Sequence, residues 1–226
     1  GPGSSIDAAG ILATTFKIDD ADFMGGHYNF AQDPNAQLAA IINQGEIRVS
    51  DGGFVFLVAP AVANEGLIIA NLGQVVLGAG QSLTVDFMGD GLITYEIDGK
   101  VLDEVRTADG RRLDSAVSNS GAIEADGGTV VLSANAGRHV FQSVVSNTGR
   151  IEANSLEEHE GVVRLEGGDP VENDGLLGYQ HHLGEVQNAE GVVRHEGTID
   201  VSAAEAGVLP GEATISGEIV YVSGSI

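Results

Sequence analysis

Apolar and polar positions in this chain follow two recurring phrases rather than one long period. The first is Asn-x-Gly-x-Ile, at Asn43-Gln-Gly45-Glu-Ile47, Asn64-Glu-Gly66-Leu-Ile68, Asn119-Ser-Gly121-Ala-Ile123 and Asn147-Thr-Gly149-Arg-Ile151. The second begins nine or ten residues after each of the first three Asn. It reads Gly53-Phe-Val55-Phe56-Leu57-Val-Ala59, Gly73-Gln-Val75-Val76-Leu77-Gly-Ala79 and Gly128-Thr-Val130-Val131-Leu132-Ser-Ala134. A turn signal followed by a short apolar run predicts a corner and a β-strand. Its recurrence at about 20 to 28 residues, where regular, is the mark of a solenoid.

Asn and Gly tolerate positive φ, so sharp structural turns are expected at Asn43, Gly45, Asn64, Gly66, Asn119, Gly121, Asn147 and Gly149. Coils of equal length would pair equivalent strands in parallel, stack the Asn side chains along the axis and enclose a narrow core between three short sheets. An antiparallel sandwich gives no reason for these fixed offsets. The Leu-x-x-Leu-x-Leu of a leucine-rich repeat is absent.

Departures from the phrases divide the chain. Residues 1–4, Gly1-Pro2-Gly3-Ser4, read as a cloning and protease scar, which places the true N-terminus elsewhere. Residues 5–152 read as the main β-helical domain. Within it Ile11-Leu12-Ala13 predicts a strand, the aromatics Phe16, Phe23, Tyr28 and Phe30 predict packing inside or beside one coil, and Val101 to Val105 has helical potential. Leu83, Val85 and Phe87, then Ile93, Tyr95 and Ile97, alternate with polar residues around Met88-Gly89-Asp90-Gly91. That predicts a hairpin near 83–97, projecting from the rod or adding a strand to one face. Residues 153–196 are an irregular continuation, with a loose repeat at Asn173-Asp-Gly175-Leu-Leu177, and 197–226 return to clean rungs. The pattern is interrupted at Ile226, which suggests that the native protein runs on.

Composition fits this reading. Aromatic residues make up 5%, Trp is absent and Gly numbers 33. Thin coils packed on their neighbours need fewer bulky side chains than a globular core. The formal charge of −23 disfavours nucleic acid and anionic membrane, both of which demand clustered cations. No apolar run approaches the roughly 18 residues of a membrane span, so no membrane insertion is expected. Cysteine is absent, which suits a chain exported unfolded.

Three clusters could carry chemistry. Asp19, Asp20 and Asp22 offer carboxylates for glycoside cleavage, which needs two of them about 5 to 9.5 Å apart across a cleft. As neighbours in sequence they read instead as surface turn acids. Asp86, Asp90 and Asp98 could hold calcium, at spacings that fit neither an EF-hand loop nor the glycine-rich nonapeptide calcium repeat. His159, His181, His182 and His195 lie near Glu157, Glu158 and Glu160, without a His-Glu-x-x-His pattern for zinc. The chain has no P-loop and no Gly-x-Ser-x-Gly elbow. No catalytic residue, metal or cofactor is expected.

The chain resembles the filamentous-hemagglutinin family, the large TpsA-type exoproteins of Gram-negative two-partner secretion. The similar block runs from Gly10-Ile-Leu-Ala-Thr-Thr-Phe16 through Asp20-Ala-Asp-Phe23, Asn43-Gln-Gly-Glu-Ile47, Asp51-Gly-Gly-Phe-Val55, Pro60-Ala-Val-Ala-Asn64-Glu-Gly66 and Leu72-Gly73. It continues through Asp86-Phe87-Met-Gly-Asp90-Gly-Leu92, Asn119-Ser-Gly121 and Asp126-Gly-Gly128-Thr-Val-Val-Leu-Ser-Ala134, covering about residues 10–152. The resemblance implies a right-handed parallel β-helix with an extra-helical hairpin. It implies an outer-membrane TpsB-type transporter as export partner, a secreted or cell-surface location, and virulence roles in adhesion, hemagglutination or biofilm through an unknown host-cell, bacterial or matrix receptor. The family's Asn-Pro-Asn secretion signatures are expected upstream of Gly10, and Asp33-Pro34-Asn35 reads as a loop. The expected function is therefore a rigid rod for attachment, with the hairpin and residues 155–195 as first places to seek a binding surface. A polysaccharide-active β-helix enzyme and the stalk of a contact-dependent toxin are the alternatives.

Overall fold

The computed structural model describes residues 1–87, 93–156, 159–168 and 191–226, in which the chain winds through six coils. The turn 88–91 with Asp90, the acids Glu157 and Glu158, and the 169–190 stretch with His181, His182 and the loose repeat at Asn173 lie outside the described residues. The first coil holds Ser5–Ala8 (β1) and Ile11–Thr14 (β2). It then makes an excursion with Lys17–Ile18 (β3), the helix Asp20–Met24 (α1) and Tyr28–Ala31 (β4), and closes with Ala40–Asn43 (β5). The second holds Glu46–Val49 (β6), Phe54–Ala59 (β7) and Ala61–Asn64 (β8). The third holds Leu67–Ile69 (β9) and Gln74–Ala79 (β10), an excursion with Ser82–Phe87 (β11) and Ile93–Asp98 (β12), then Ser115–Asn119 (β13). The fourth holds Ala122–Glu124 (β14), Thr129–Ala134 (β15) and Ser143–Asn147 (β16). The last two hold Arg150–Glu152 (β17), Val162–Gly167 (β18) and Val192–His195 (β19), then Thr198–Asp200 (β20), Glu212–Ser216 (β21) and Ile219–Val222 (β22).

Equivalent strands pair in parallel to make three six-stranded sheets, β1-β6-β9-β14-β17-β20, β2-β7-β10-β15-β18-β21 and β5-β8-β13-β16-β19-β22. This is a parallel β-helix, and the twist of its strands favours right-handed winding. In-register pairing sets like on like. Ile47, Ile68, Ile123, Ile151 and Ile199 form one interior column, which Ile6 continues, exposed, on the first coil. Leu57, Leu77, Leu132 and Leu165 form a second, and Val62, Val117, Val145 and Val193 a third. Each fully buried Leu or Ile contributes about 1.5–3 kcal/mol relative to an exposed one. The columns therefore add to the backbone ladders in holding neighbouring coils together.

A fourth sheet, antiparallel and ordered β12-β11-β4-β3, covers part of the second sheet from outside. The reason is legible in the outward-facing row Leu12, Phe56, Val76, Val131, Arg164, Thr214, which is apolar for four coils and then polar. Phe56 and Val76 are fully buried because Leu83 and Val85 of β11 pack over them with Tyr28, Phe30, Ile93, Tyr95 and Ile97. Tyr95 meets Phe56 with ring centroids 5.3 Å apart. Burial there, with the nearby Glu166 carboxylate second, pushes its phenol up to about 12. Gly78 is small because the Ile97 side chain occupies the place of its Cβ. The expected hairpin is thus half of a larger sheet whose other half comes from residues 17–31.

Two local expectations are corrected. Residues 101–105 are not helical: Val101 bridges Ala136, and Val105 and Leu113 fill the core beside them. Asp19, Asp20 and Asp22 are not turn acids, since Asp19 caps α1 by accepting the Ala21 N–H at 2.8 Å while Asp20 and Asp22 lie in its first turn. Acids at that end are favoured by the exposed N–H groups and the helix dipole. Leu83→Ala, which empties the space between the sheets, is expected to cost about 3 kcal/mol in urea unfolding. It should also raise amide exchange first in β4 and β11.

Candidate functional site

The corner between the third and first sheets carries a continuous ladder of polar side chains. It is always two residues long, 44–45, 65–66, 120–121, 148–149, 196–197 and 223–224. The Asn of each phrase ends a strand of the third sheet and points into the coil. Asn43 Nδ2 donates to Asn64 Oδ1, Asn64 Nδ2 to Asn119 Oδ1 and Asn119 Nδ2 to Asn147 Oδ1, each at 2.8 Å. The spare amide hydrogens reach backbone carbonyls one coil on, Asn64 to Ala122 at 3.2 Å and Asn119 to Arg150 at 3.3 Å. Asn64, Asn119 and Asn147 have no exposed surface, so these bonds replace all water.

The glycines stack beside the asparagines, but none of Gly45, Gly66, Gly121 and Gly149 has positive φ, and neither does any ladder Asn. Close approach fixes them instead. A Cβ on Gly66 would overlap the Gly45 carbonyl oxygen, one on Gly121 that of Gly66, and one on Gly149 that of Gly121. The left-handed conformation belongs to the next corner, at Gly52, Leu72 and Gly127 with φ of 77°, 54° and 65°.

His195 is the ladder residue that phrase-matching misses. It stands in register with Asn147 and is fully buried. Its Nδ1 lies 3.1 Å from Asn147 Nδ2 and its Nε2 lies 3.0 Å from the Ser225 carbonyl. The offsets to Gly197 and Ile199 match those of Asn to Gly and Ile, which is the signal that could have found it. His195 therefore belongs inside the coil, whereas His159 is exposed on the loop before β18. Among the described residues no three His, Asp or Glu side chains gather to hold a metal. Asp86 pairs with Thr94 and Asp98 with Ser82, which separates the two carboxylates by about 13 Å along the hairpin. No helix among the described residues is long and apolar enough to cross a membrane.

Two shallow concavities lie on the described exterior. One of about 350 Å³ lies between the 32–38 loop and the 102–104 loop and is lined by Gln32, Asp33, Gln37, Gln81 and Glu104 among others. Asp33 is held below the usual carboxylate range first by the Lys17 ammonium, 2.6 Å away, and then by the Asn35 N–H. The other, about 390 Å³, lies on the outer face of the hairpin against Thr84, Asp86, Thr94 and Glu96. Both are open and of mixed polar and apolar lining, a geometry suited to contact with a surface rather than to sequestering a small molecule.

No family model and no curated protein matches the chain. Among solved structures it is similar to the HMW1 secretion domain from Haemophilus influenzae, at a TM-score of 0.48 and 24% sequence identity. That alignment covers 99% of this chain and 66% of the other.

Proposed function

We propose that the chain is part of a TpsA-type exoprotein exported through an outer-membrane TpsB-type transporter, and that it serves at the bacterial surface as a stiff adhesive rod. The observation that carries this reading is the six-coil β-helix with its side-chain columns in register, the fold that the family-like block over residues 10–152 implies. Columns of identical residues make each coil a template for the next, so a chain emerging from a pore gains stability with every coil it completes. The exterior supplies breadth rather than a cleft, with polar sheet faces and a strongly negative charge that keeps the rod soluble. Adhesion to host cells, other bacteria or biofilm matrix is the use such a surface supports.

Export is tested by producing the native polypeptide with and without its cognate transporter and measuring it in the culture supernatant. Release only with the transporter is the expected result, and equal retention in both cultures would refute the reading. Attachment is tested separately with the purified chain on erythrocytes, epithelial cells and preformed biofilm. Saturable binding is expected, competed by unlabelled chain, and its absence on all three would remove the adhesive role.

A further inference from the structure

We propose that His195 is a proton-operated clasp joining the last coil to the rest of the rod. The asparagine ladder has a direction, because every Nδ2 donates toward the coil that follows. Asn147 Oδ1 is already occupied by Asn119, so Asn147 faces its neighbour with its amide hydrogens. The ring at 195 must accept there on Nδ1 and donate from Nε2 to the Ser225 carbonyl. One species does both, the neutral imidazole with its hydrogen on Nε2.

Val222 occupies the ladder position of the next coil and offers no polar atom, so the donor at this step goes to the corner carbonyl of Ser225. That carbonyl is the counterpart of the Ala122 and Arg150 carbonyls that Asn64 and Asn119 reach, so an Asn at 195 could make both bonds, and what the imidazole adds is an acceptor nitrogen that can take a proton. That carbonyl also accepts the Ile199 N–H at 3.0 Å, so the ring, β20 and the last corner meet at one oxygen.

A second proton on the ring puts N–H against N–H at 3.1 Å, with water excluded. Turning the Asn147 amide does not relieve the clash. It would set Nδ2 against Asn119 Nδ2 and require reversal of the whole ladder back to Asn43. No other titratable side chain among the described residues is buried in the core. The charged groups on the packed elements all reach solvent. Arg194 of β19 lies 4.6 Å over the Tyr221 ring of β22, Arg150 and Glu152 of β17 are paired, Asp200 of β20 accepts the Ser202 N–H, and Glu196 is exposed in the corner. None lies where it could compensate a buried imidazolium. The ring can take a second proton without that clash only once the coil has opened, so acid favours opening. The part that opens is the coil beyond the ring.

The test is amide exchange by mass spectrometry on the whole chain at pH 7.5 and 5.0, corrected for the intrinsic pH dependence, with H195N alongside. Peptides spanning 219–226 should exchange about tenfold or more faster at pH 5.0 in the unaltered chain, while those spanning 115–134 hold. H195N should show no such acceleration. Equal behaviour at the two pH values, or the same acceleration in H195N, would overturn the proposal. If H195N does not fold, imidazole nitrogen NMR of the unaltered chain decides. The Nε2–H tautomer at pH 7.5, lost together with protection of the last coil, supports the clasp. An Nδ1–H tautomer, or a ring that takes up a proton while that coil stays protected, refutes it.

Discussion

Gly121→Ala is expected to cost about 5 kcal/mol or more, enough to leave the chain without a cooperative urea transition. The new methyl group would fall on the Gly66 carbonyl oxygen and within 2.8 Å of the Gly66 nitrogen, both fixed backbone atoms. No rotamer change relieves that contact, and the coils can separate only by breaking the parallel ladders on either side. Gly110→Ala is the control. Gly110 has φ of 86° and open space around its Cα, so a methyl group there costs only the left-handed penalty of about 1–2 kcal/mol. Equal costs for the two variants would show that conformational freedom, not stacking, keeps glycine at position 121.

Asn119→Ala is the second large effect. It removes both 2.8 Å ladder bonds and leaves Asn147 Oδ1 without its donor in a dry interior. About 3–4 kcal/mol is expected from the urea midpoint, at the upper end of single hydrogen-bond losses because two coils lose a partner at once. Asn119→Asp separates polarity from size. Its carboxylate would face Asn147 Oδ1 and the Arg150 carbonyl, oxygen against oxygen, in the place of an amide donor. Burial favours the protonated acid in the folded state, so this variant should be hurt most at neutral pH. It should recover part of its stability as pH falls toward about 4, where the acid can again donate. A cost independent of pH would indicate that the ladder position is not enclosed.

The interior of the rod could be read from the sequence because stacking asks for the same residue at the same place in each coil. The Asn, Gly, Ile and Leu columns were carried for the most part by the two phrases, while the column of Val62, Val117, Val145 and Val193 lay outside both. What escaped was whatever changes its letter while keeping its place. His195 substitutes an imidazole for an amide, Ser4 supplies the carbonyl that Gly45 packs on, and Gly224 packs on Gly197 in a corner led by Val222. Long-range pairing also escaped. Tyr28–Ala31 meets Ser82–Val85 across some fifty residues, and alternation in each strand names a face without naming its partner. Helix α1 is five residues long, too short to leave a periodic trace, and only its Asp19 cap hints at it. The reason for glycine at the tight corner was misjudged for a related cause. Close approach between coils leaves no mark on a single turn.

Successive ladder residues are 21, 55, 28 and 48 positions apart in the chain, yet the side chains they carry meet as though every coil were the same length. The slack is taken up away from the two-residue corner, much of it between the second and third sheets. Extra chain can therefore be spliced into that edge at small entropic cost, about 0.6 kcal/mol for each doubling of a loop. One margin of the molecule is open to new cargo, while its opposite seam admits no insertion at all.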